Sequence, residues 1–266
     1  MNKKNILITI TGAYGRMGTS LIQEIKKHKN ILLNFVIVKK KKNNIQLNQK
    51  KQIEIIENIE NLKNKIHQFD VLIDFSTPKS TLQYLEICKT YKKNIIIGTT
   101  GFNQKEINII KNYSKYIGIV FSYNFSVGIN LIFKLLKTTS QILDSSYDIE
   151  ILESHHRNKI DSPSGTALKI GEIIAKNKKW NLEECSIYRK KEITQTRKNN
   201  KIGFSIIRGG DTIGEHTIIY AGIGEKIQIS HIANNRDAFS KGAIKAAIWI
   251  QKQNPGLYNM MDVLNI

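Results

Sequence analysis

Proton-exchanging and cationic side chains crowd one short stretch of the chain, ESHHRNKIDSPSGTA at residues 153–167. Histidine exchanges protons near neutral pH, and a nearby lysine can supply a fixed positive charge or a second proton. The Pro-Ser-Gly-Thr sequence that follows is typical of a helix start, where exposed backbone N–H groups attract a carboxylate or a phosphate. Two buried histidines beside a well-capped helix are the alternative, but the density of cationic groups favours proton transfer to an anionic ligand.

Three glycines, Gly12, Gly15 and Gly18, interrupt the sequence ITGAYGRMG between an apolar stretch and a helical pattern. Glycine allows a sharp turn, a close approach to a pyrophosphate and tight packing of a helix on a sheet. The spacing is GxxGxxG instead of the usual GxGxxG, and Tyr14 stands at the second glycine position. A structural turn would explain the motif alone about as well. Its place between the first strand and the first helix favours a dinucleotide site.

Strands and helices alternate in the first half of the chain. Apolar stretches predict strands at residues 6–12, 32–38, 70–76, 94–101 and 117–124. Helical patterns are found at residues 17–27, 78–91 and 104–115. The polar stretch at residues 39–51 is expected to be a mobile loop. This alternation predicts an α/β fold in which helices cover both faces of a parallel sheet.

The pattern changes after Asn124. An amphipathic helix at residues 127–143 precedes a strand at 147–156, and the Pro-Ser-Gly-Thr turn opens a helix that extends to about residue 178. Three strand-like runs follow without helices between them, at residues 202–209, 215–221 and 226–232. They predict a second, mainly antiparallel α+β domain. A final helix over about 236–253 could join either domain.

Small and hydrogen-bonding residues follow the predicted strands, at the edge where a doubly wound sheet binds its ligand. After the second strand, NAD-binding proteins usually carry an acid that binds the adenosine ribose, whereas Lys39 and Lys40 stand there in this chain. Lysines would attract a 2′-phosphate. We therefore predict that NADPH binds at least as well as NADH, with Lys39 as a cofactor contact, although a general excess of lysine is an alternative explanation.

The composition limits the classes of function. The formal net charge of +19 invites a nucleic-acid partner, but aromatic residues are not interleaved with the basic runs, so no nucleic-acid function is predicted. No apolar run approaches the ~20 residues that span a bilayer. Cys88 and Cys185 lack neighbours at metal-ligand spacing, so neither a disulfide framework nor a metal site is predicted, and a reducing cytoplasm fits best.

Seven segments together resemble the dihydrodipicolinate reductase family, whose members are also called 4-hydroxy-tetrahydrodipicolinate reductases. They are GAYGRMG at 12–18, IDFSTP at 73–78, IGTTGF at 97–102, NFSVG at 124–128, ESHHRNKIDSPSGTA at 153–167, RGGDTIGEHT at 208–217 and the C-terminal helix. The likeness spans nearly the whole chain, and HHRxKxDxPSGT is its most specific motif. It implies NAD(P)H-dependent reduction of 4-hydroxy-tetrahydrodipicolinate to tetrahydrodipicolinate, in the diaminopimelate route to lysine.

The resemblance also implies roles for domains and residues. A Rossmann-like dinucleotide-binding domain would comprise residues 1–125 and 235–266, and an inserted α+β domain at 126–234 would bind a small dicarboxylate substrate and build a homotetramer. His155 would be the general acid/base, Lys159 the proton donor, and His156, Gly165 and Thr166 the substrate-carboxylate site. The implied cofactor contacts are Gly12, Ala13, Tyr14, Gly15, Arg16, Met17, Gly98, Thr99, Thr100, Ser122, Tyr123, Asn124 and Phe125.

Two departures from the family pattern concern Val38 and Asn158. Val38 stands where some members carry an acid, which bears on cofactor preference, and Asn158 replaces a histidine of some members between the implied contacts. Arg157 has no implied task, and a structural ion pair is expected for it.

Three other functions are compatible with parts of the sequence. A non-catalytic NAD(P)-binding regulator would keep the glycine loop but need neither His155 nor Lys159. A basic nucleic-acid binder would show steeply salt-dependent affinity. A semialdehyde dehydrogenase would need a thiol nucleophile, but Cys88 falls within a predicted helix and Cys185 has no adjacent base.

Overall fold

The computed structural model describes residues 5–40, 42, 45–48, 51–57, 59–188 and 196–266, with the backbone alone at 45–48 and 51–52. The strands are β1 (Ile6–Thr11), β2 (Ile31–Ile37), β3 (Ile45–Asn48), β4 (Lys51–Ile56), β5 (Val71–Asp74), β6 (Asn94–Ile97), β7 (Gly118–Phe121), β8 (Asp148–His155), β9 (Ser186–Tyr188), β10 (Ile202–Arg208), β11 (Gly214–Ala221), β12 (Lys226–Ala233) and β13 (Gly256–Tyr258). The α-helices are α1 (Arg16–Ile25), α2 (Ile59–Asn64), α3 (Pro78–Thr90), α4 (Gln104–Tyr113), α5 (Val127–Ile142), α6 (Gly165–Lys178), α7 (Leu182–Cys185), α8 (Asp237–Trp249) and α9 (Met260–Leu264).

The chain divides into two compact units. Residues 1–127 and 236–266 form the first unit, and residues 128–235 form the second. Among the described residues, no helix combines the length and the apolar character needed to cross a membrane. The mixed α/β class predicted from the sequence is confirmed.

An eight-stranded sheet forms the centre of the first unit, in the order β13-β7-β6-β5-β1-β2-β4-β3. All of its pairs are parallel except β3 with β4. The chain moves outward from β1 through β2 and returns on the other side at β5. This reversal places a topological switch point at the carboxyl ends of β1 and β5, where ligands bind in sheets of this kind.

Apolar side chains fill both faces of this sheet. On β5, Val71 and Ile73 face one core cluster and Leu72 faces the other, as expected when successive side chains of a strand alternate. Helices α1 and α8 cover the first cluster, and α3 and α4 cover the second. Burial on both faces explains why the strands appear in the sequence as continuous apolar runs.

The C-terminal segment belongs to the first unit, which the sequence pattern could not decide. The Ser20 hydroxyl of α1 donates to the Ser240 hydroxyl of α8 at 3.0 Å, and β13 adds a parallel strand beside β7. Any side chain at Gly242 of α8 would overlap the carbonyl of Phe125. Helix α8 therefore packs directly against the turn that follows β7.

The polar stretch at 39–51 differs from the predicted loop. The backbone at 45–48 pairs antiparallel with β4, and β4 extends the main sheet beside β2. Residues 41, 43, 44, 49 and 50 lie outside the described part of the chain. The polar composition of this stretch obscured β3, because an edge strand needs little apolar surface.

The second unit contains a five-stranded sheet in the order β12-β11-β8-β10-β9. The sheet, predicted to be mainly antiparallel, is mixed: β11 pairs antiparallel with β8 and β12, whereas β10 runs parallel to β8 and β9. Parallel neighbours need a long crossover, and the segment containing α6 supplies it between β8 and β10. The sequence pattern showed three consecutive strands but not which of them are neighbours.

Helices α5 and α6 contribute to the core on one face of this second sheet. Ile149 and Ile151 of β8 lie in that core with Ile218 and Tyr220 of β11. Further along the same face, toward the carboxyl end of β8, the buried side chains become polar: Glu153, His155 and His216. The alternate side chains on one face of β8 and β11 thus form both the core and the polar cluster.

Candidate active site

The glycine loop after β1 forms a tight turn at the switch point of the first sheet. Gly12 has a φ of +63° and accepts a hydrogen bond from the Gly15 N–H at 2.8 Å. A side chain at Gly18 would lie 2.6 Å from the Cα atom of Ala13, so only glycine lets α1 pack this closely. Gly15 caps α1 without a side-chain hydrogen bond. The first N–H groups of the helix, including that of Arg16, suit an anion.

A cavity of about 600 Å³ lies beside this loop. Its lining comprises Gly12, Tyr14, Gly15, Val38, Lys39, Lys40 and Lys42. The Tyr14 hydroxyl accepts a hydrogen bond from the backbone N–H of Lys42 at 3.1 Å. Lys39 and Lys40 are exposed. The cavity therefore combines the predicted phosphate loop with the lysines predicted to favour a 2′-phosphate.

Asp74, which the sequence analysis did not single out, connects the strand ends at this edge. Its fully buried carboxylate accepts hydrogen bonds from the hydroxyls of Thr11 at 2.5 Å, Ser76 at 2.6 Å and Thr99 at 2.9 Å, and from that of Thr81. A buried carboxylate requires such donors. These hydrogen bonds to Asp74 fix the turns after β1, β5 and β6 relative to one another. The only sign of this role in the sequence was the presence of Asp74 in the IDFSTP motif.

The other predicted cofactor contacts lie at the ends of β6 and β7. Any side chain at Gly98 would overlap the Phe75 ring, and the Thr99 hydroxyl is used by Asp74 and by the Ser76 N–H. Thr100 is exposed. After β7, the Ser122 hydroxyl donates to the Asn124 carbonyl at 2.9 Å. These turns are held by their own hydrogen bonds.

Tyr123 and Phe125 occupy opposite environments in the turn after β7. Tyr123 is 58% exposed, whereas Phe125 is buried and its ring lies 5.5 Å from that of Phe75. A cofactor contact at Phe125 would therefore come from its backbone. Met17 lies in the first turn of α1, and Ala13 is buried beneath the glycine loop.

Glu153 is a buried carboxylate of the second unit, and its side chain has no exposed surface. Its Oε1 atom accepts hydrogen bonds from Nη2 of Arg208 at 2.8 Å and from the Ser164 N–H at 3.0 Å. Its Oε2 atom lies 3.0 Å from Nδ1 of His155, at ion-pair distance but not aligned as a hydrogen bond. Burial would raise the pKa of Glu153, but the contacts with His155, Ser164 and Arg208 hold it well below its usual value. Glu153 is therefore an anion.

His216 has a different partner. Its Nε2 atom lies 3.2 Å from the Ser164 hydroxyl, and its ring meets that of His155 edge-on at 5.1 Å. Burial, with the neighbouring His155, lowers the pKa of His216 to about 3. His216 is consequently neutral at physiological pH.

The predicted catalytic and substrate residues lie on β8, the turn after it and the start of α6. Lys159 forms an ion pair with Asp161, with 2.8 Å between Nζ and Oδ1. Burial would raise the pKa of Asp161, but Lys159 and the backbone N–H of Gly165 lower it. A Cβ atom at Gly165 would meet open space. The start of α6 is therefore accessible, and a carboxylate already contacts Lys159 there.

His156, Arg157 and Thr166 complete the account of this stretch. His156 is half-buried, and its carbonyl accepts from the Lys159 N–H at 3.0 Å. Thr166 follows Gly165 in the first turn of α6, which Ser164 caps through the Ala167 N–H. The expected ion pair of Arg157 is not formed with any residue that the structure describes, and its backbone N–H donates to the Gly210 carbonyl.

Glu153, His155 and His216 also place donor atoms within 4.8 Å of one another, a spacing that could hold a metal ion. The Arg208 guanidinium already balances the charge of Glu153 and would repel a cation. The electrostatics therefore favour proton handling in this cluster.

Residues Glu153, Ser164, Arg208 and His216 were missed as site residues by the sequence analysis. Glu153 and Ser164 flank the histidines in the 153–167 stretch, and Arg208 and His216 lie in the RGGDTIGEHT segment. Their two segments meet only because β8 lies between β10 and β11. Alternation within β8 placed Glu153 and His155 on one face and was the signal that could have found the pair.

We expect the buried His216 to make the protein sensitive to acid. Its pKa is lower in the folded state than the ordinary 6.5, so the unfolded state takes up the proton first as the pH falls. The stability is complete above pH 6.5 and is lost toward about pH 3. Between pH 6.5 and 4.5, about 2–3 kcal/mol of the free energy of unfolding should disappear.

Urea unfolding at several pH values measures the slope of the free energy of unfolding against pH. In the His216→Gln variant the slope should flatten, whereas the exposed His67→Gln control should keep the wild-type slope. Equal slopes in wild type and His216→Gln would refute the assignment. The window ends at pH 4.5 because Glu153, whose pKa is lowered from 4.5, contributes further loss below it.

Comparison with known proteins covers the whole chain. The family model described as "Dihydrodipicolinate reductase, N-terminus" matches residues 6–125, and that described as "Dihydrodipicolinate reductase, C-terminus" matches residues 128–264. A curated protein from Buchnera aphidicola subsp. Acyrthosiphon pisum (strain 5A), named 4-hydroxy-tetrahydrodipicolinate reductase, is 51% identical over 270 residues and covers 100% of both chains. The protein of that name from subsp. Cinara cedri (strain Cc) is 49% identical, with 98% of each chain covered.

Solved structures show the same fold. A dipicolinate-bound dihydrodipicolinate reductase from Paenisporosarcina sp. TG-14 has a TM-score of 0.77 at 22% identity, covering 97% of this chain and 98% of that one. A C. glutamicum DAP dehydrogenase in complex with DAP has a TM-score of 0.55 at 12% identity, covering 97% and 94%. The two family models and the full-length relatives establish that this chain belongs to the dihydrodipicolinate reductase family.

Proposed function

We propose that this chain catalyses the NAD(P)H-dependent reduction of 4-hydroxy-tetrahydrodipicolinate to tetrahydrodipicolinate, in the diaminopimelate route to lysine. The observation that carries the proposal is the buried His155 on the same short segment as Lys159 and the open helix start at Gly165. An acid–base group is thus combined with groups that bind a carboxylate. The relatives that match the full chain carry the name of this activity.

The overall reaction consumes one hydride and one proton and releases water. Bound NAD(P)H supplies the hydride. His155 and Lys159 supply the proton, because a positioned imidazole or ammonium group can act as a general acid. The backbone N–H groups of Gly165 and Thr166, with His156, bind a substrate carboxylate, and the positive end of α6 favours its charge.

Lys159 and Asp161 suggest how a dicarboxylate is received. The carboxylate of Asp161 contacts Lys159 and the Gly165 N–H. A substrate carboxylate at the start of α6 would compete with Asp161 for the same cation. Dipicolinate, a ring dicarboxylate, is bound by the structurally similar Paenisporosarcina enzyme, which supports a ligand of this class.

The glycine loop and the cavity beside it would hold the dinucleotide in the first unit. The N–H groups at the start of α1 would meet the pyrophosphate, with Gly12, Ala13, Gly15, Arg16 and Met17 at the loop. The remaining contacts would be Tyr14, Lys39, Gly98, Thr99, Thr100, Ser122, Tyr123, Asn124 and the backbone of Phe125. Asp74 would position these turns without touching the cofactor.

The test of this function is a steady-state assay in which NADPH or NADH oxidation is followed with freshly generated substrate from the preceding synthase step. The proposal predicts saturable oxidation that requires both substrate and enzyme. Binding of the dinucleotide without turnover would support the non-catalytic regulator instead.

The same assay should show that NADPH is used at least as well as NADH, as judged by kcat/KM. Lys39 and Lys40 line the cavity beside Gly12, and none of the described residues of that lining is acidic, so none repels a 2′-phosphate. Replacing Lys39 by methionine should lower kcat/KM for NADPH by about two- to fivefold, the value of one exposed charge pair. The kcat/KM for NADH should change little.

Lys26→Met is the matched control, because Lys26 is exposed at the end of α1 and outside the cavity lining. A clear preference of the wild type for NADH would overturn the role of the lysines. An equal loss of kcat/KM for both cofactors in Lys39→Met would also overturn it, because NADH has no 2′-phosphate for Lys39 to contact.

A semialdehyde dehydrogenase is disfavoured by the thiols. Cys88 and Cys185 are both buried, and burial raises the pKa of each thiol above its ordinary value. A thiol nucleophile needs the opposite shift and an accessible position.

The homotetramer and the cytoplasmic location expected from the family are part of the proposal. Exposed apolar side chains of the second unit, Ile207 at 50% and Ile232 at 60%, support self-association of that unit. Sedimentation equilibrium of the full chain measures the assembly directly.

A further inference from the structure

We infer that Glu153 is a positioning residue for His155. Its carboxylate accepts a hydrogen bond from Nδ1–H of the imidazole, which leaves Nε2 as the atom that exchanges protons with the substrate. The inference rests on the proposed function, because it assigns a device to the same acid–base group. It concerns a residue that contacts neither the substrate nor the cofactor in the proposal above.

The enclosure of Glu153 is the first argument. Its side chain has no exposed surface, and a buried carboxylate is costly unless cations and donors surround it. Arg208 and the Ser164 N–H both bind Oε1. Arg208 also donates to the carbonyls of Ile207 and Asp161, so the guanidinium is fixed in place. The carboxylate is therefore held from one side by groups that keep it ionised.

The second oxygen is the second argument. Oε2 of Glu153 has no hydrogen bond in the described part of the chain, and Nδ1 of His155 lies 3.0 Å away. The other candidate, Nε2 of His216, is 3.9 Å away and has the Ser164 hydroxyl as its partner at 3.2 Å. A small rotation of the imidazole would align Nδ1–H with Oε2. Glu153 is thus directed at His155 rather than at His216.

The surroundings of Nε2 are the third argument. A Cβ atom at Gly214 would lie 3.1 Å from Nε2 of His155, so glycine keeps space beside this nitrogen. The nitrogen that carries a proton in a neutral histidine is set by the hydrogen bond of the other. With Nδ1–H bound to a carboxylate, Nε2 is the free base, and the carboxylate stabilises the imidazolium that forms when Nε2 takes a proton.

The Glu153→Gln variant tests this arrangement. The amide oxygen can still accept from Arg208 and Ser164, but the amide NH₂ then faces Nδ1 and requires Nδ1 to be the acceptor. The imidazole proton should move to Nε2. We expect kcat to fall by about 10- to 100-fold, as when other orienting partners are lost, with KM nearly unchanged. Glu153→Asp keeps the charge and should recover part of kcat.

Nitrogen NMR of labelled protein reads the tautomer directly and without substrate, with the His155→Gln spectrum used to assign the signal among the six histidines. Wild type should show His155 protonated on Nδ1, and Glu153→Gln should show it protonated on Nε2. Glu172→Gln is the matched control, because Glu172 is exposed and pairs with Lys169 in the same unit. It should change neither kcat nor the tautomer.

The possible outcomes separate this inference from the proposed function. If the wild type binds NADPH without turnover, but the His155 tautomer changes between wild type and Glu153→Gln, the function is refuted and the pair is retained. An active wild type with His155 protonated on Nε2 would overturn the pair and retain the function. If Glu153→Gln does not fold, the wild-type tautomer decides alone. A Glu153 that is merely structural would change stability while leaving the tautomer and kcat of the folded variant as in wild type.

Discussion

Replacing His155 by alanine is expected to lower kcat by about 10²- to 10⁴-fold, the usual contribution of a positioned acid or base. The variant should keep its fold, because Arg208 and the Ser164 N–H still bind the Glu153 carboxylate and no unpaired buried charge is created. Since proton transfer acts in the transition state, kcat and kcat/KM should fall together. The NADPH oxidation assay measures both constants.

His67→Ala is the control for His155→Ala, because His67 is exposed and lies in the first unit. Circular dichroism and thermal unfolding would show that both variants are folded. A folded His155→Ala variant with wild-type turnover would remove His155 from the chemistry. Lys159 would then be the only proton donor left in the proposed mechanism.

Replacing Lys159 by methionine is expected to have the second largest effect, a fall in kcat of about 10²-fold or more together with a higher KM. Methionine keeps an unbranched side chain but has no charge to attract a carboxylate and no proton to donate. The ion pair with Asp161 is partly exposed, so its loss should cost at most about 1 kcal/mol of stability. The effect on activity should therefore not come from unfolding.

Lys159→Arg separates the two tasks of the lysine. Arginine stays protonated throughout the working pH range, so it can attract the carboxylate but cannot donate a proton effectively. KM should return toward the wild-type value while kcat stays low. Lys169→Met is the control, because the side chain of Lys169 is 43% exposed and pairs with Glu172. Recovery of kcat in Lys159→Arg would contradict the role as a proton donor.

Much of the first unit could be predicted from the sequence, because its strands are buried on both faces and therefore apolar throughout. The predicted strand at 94–101 ends in the structure at Ile97, and the glycine turn begins immediately after it. The edge strand β3 was missed for the opposite reason, since an edge strand can be polar. The alternation of strands with helices and the spacing of the glycines were the local signals for this unit.

The polar cluster of the second unit could be predicted only in part. His155 and Lys159 were identified from one continuous stretch, but Arg208 and His216 reach Glu153 through strand neighbours that the chain order does not reveal. The parallel pairing of β10 with β8 and β9 was not predicted, for the same reason. Local patterns predict elements well, whereas pairing depends on crossover lengths and on which faces are covered.

The most direct test of the central claim is transfer of the nicotinamide hydride into the product. The full-length wild type is incubated with NADPH that carries deuterium in the transferable position and with freshly generated substrate, and the product is identified by mass spectrometry. The proposal predicts tetrahydrodipicolinate that contains one deuterium, formed at a rate that His155→Ala lowers by about 10²- to 10⁴-fold. Unlabelled product, or no product while NADPH binds, would contradict it.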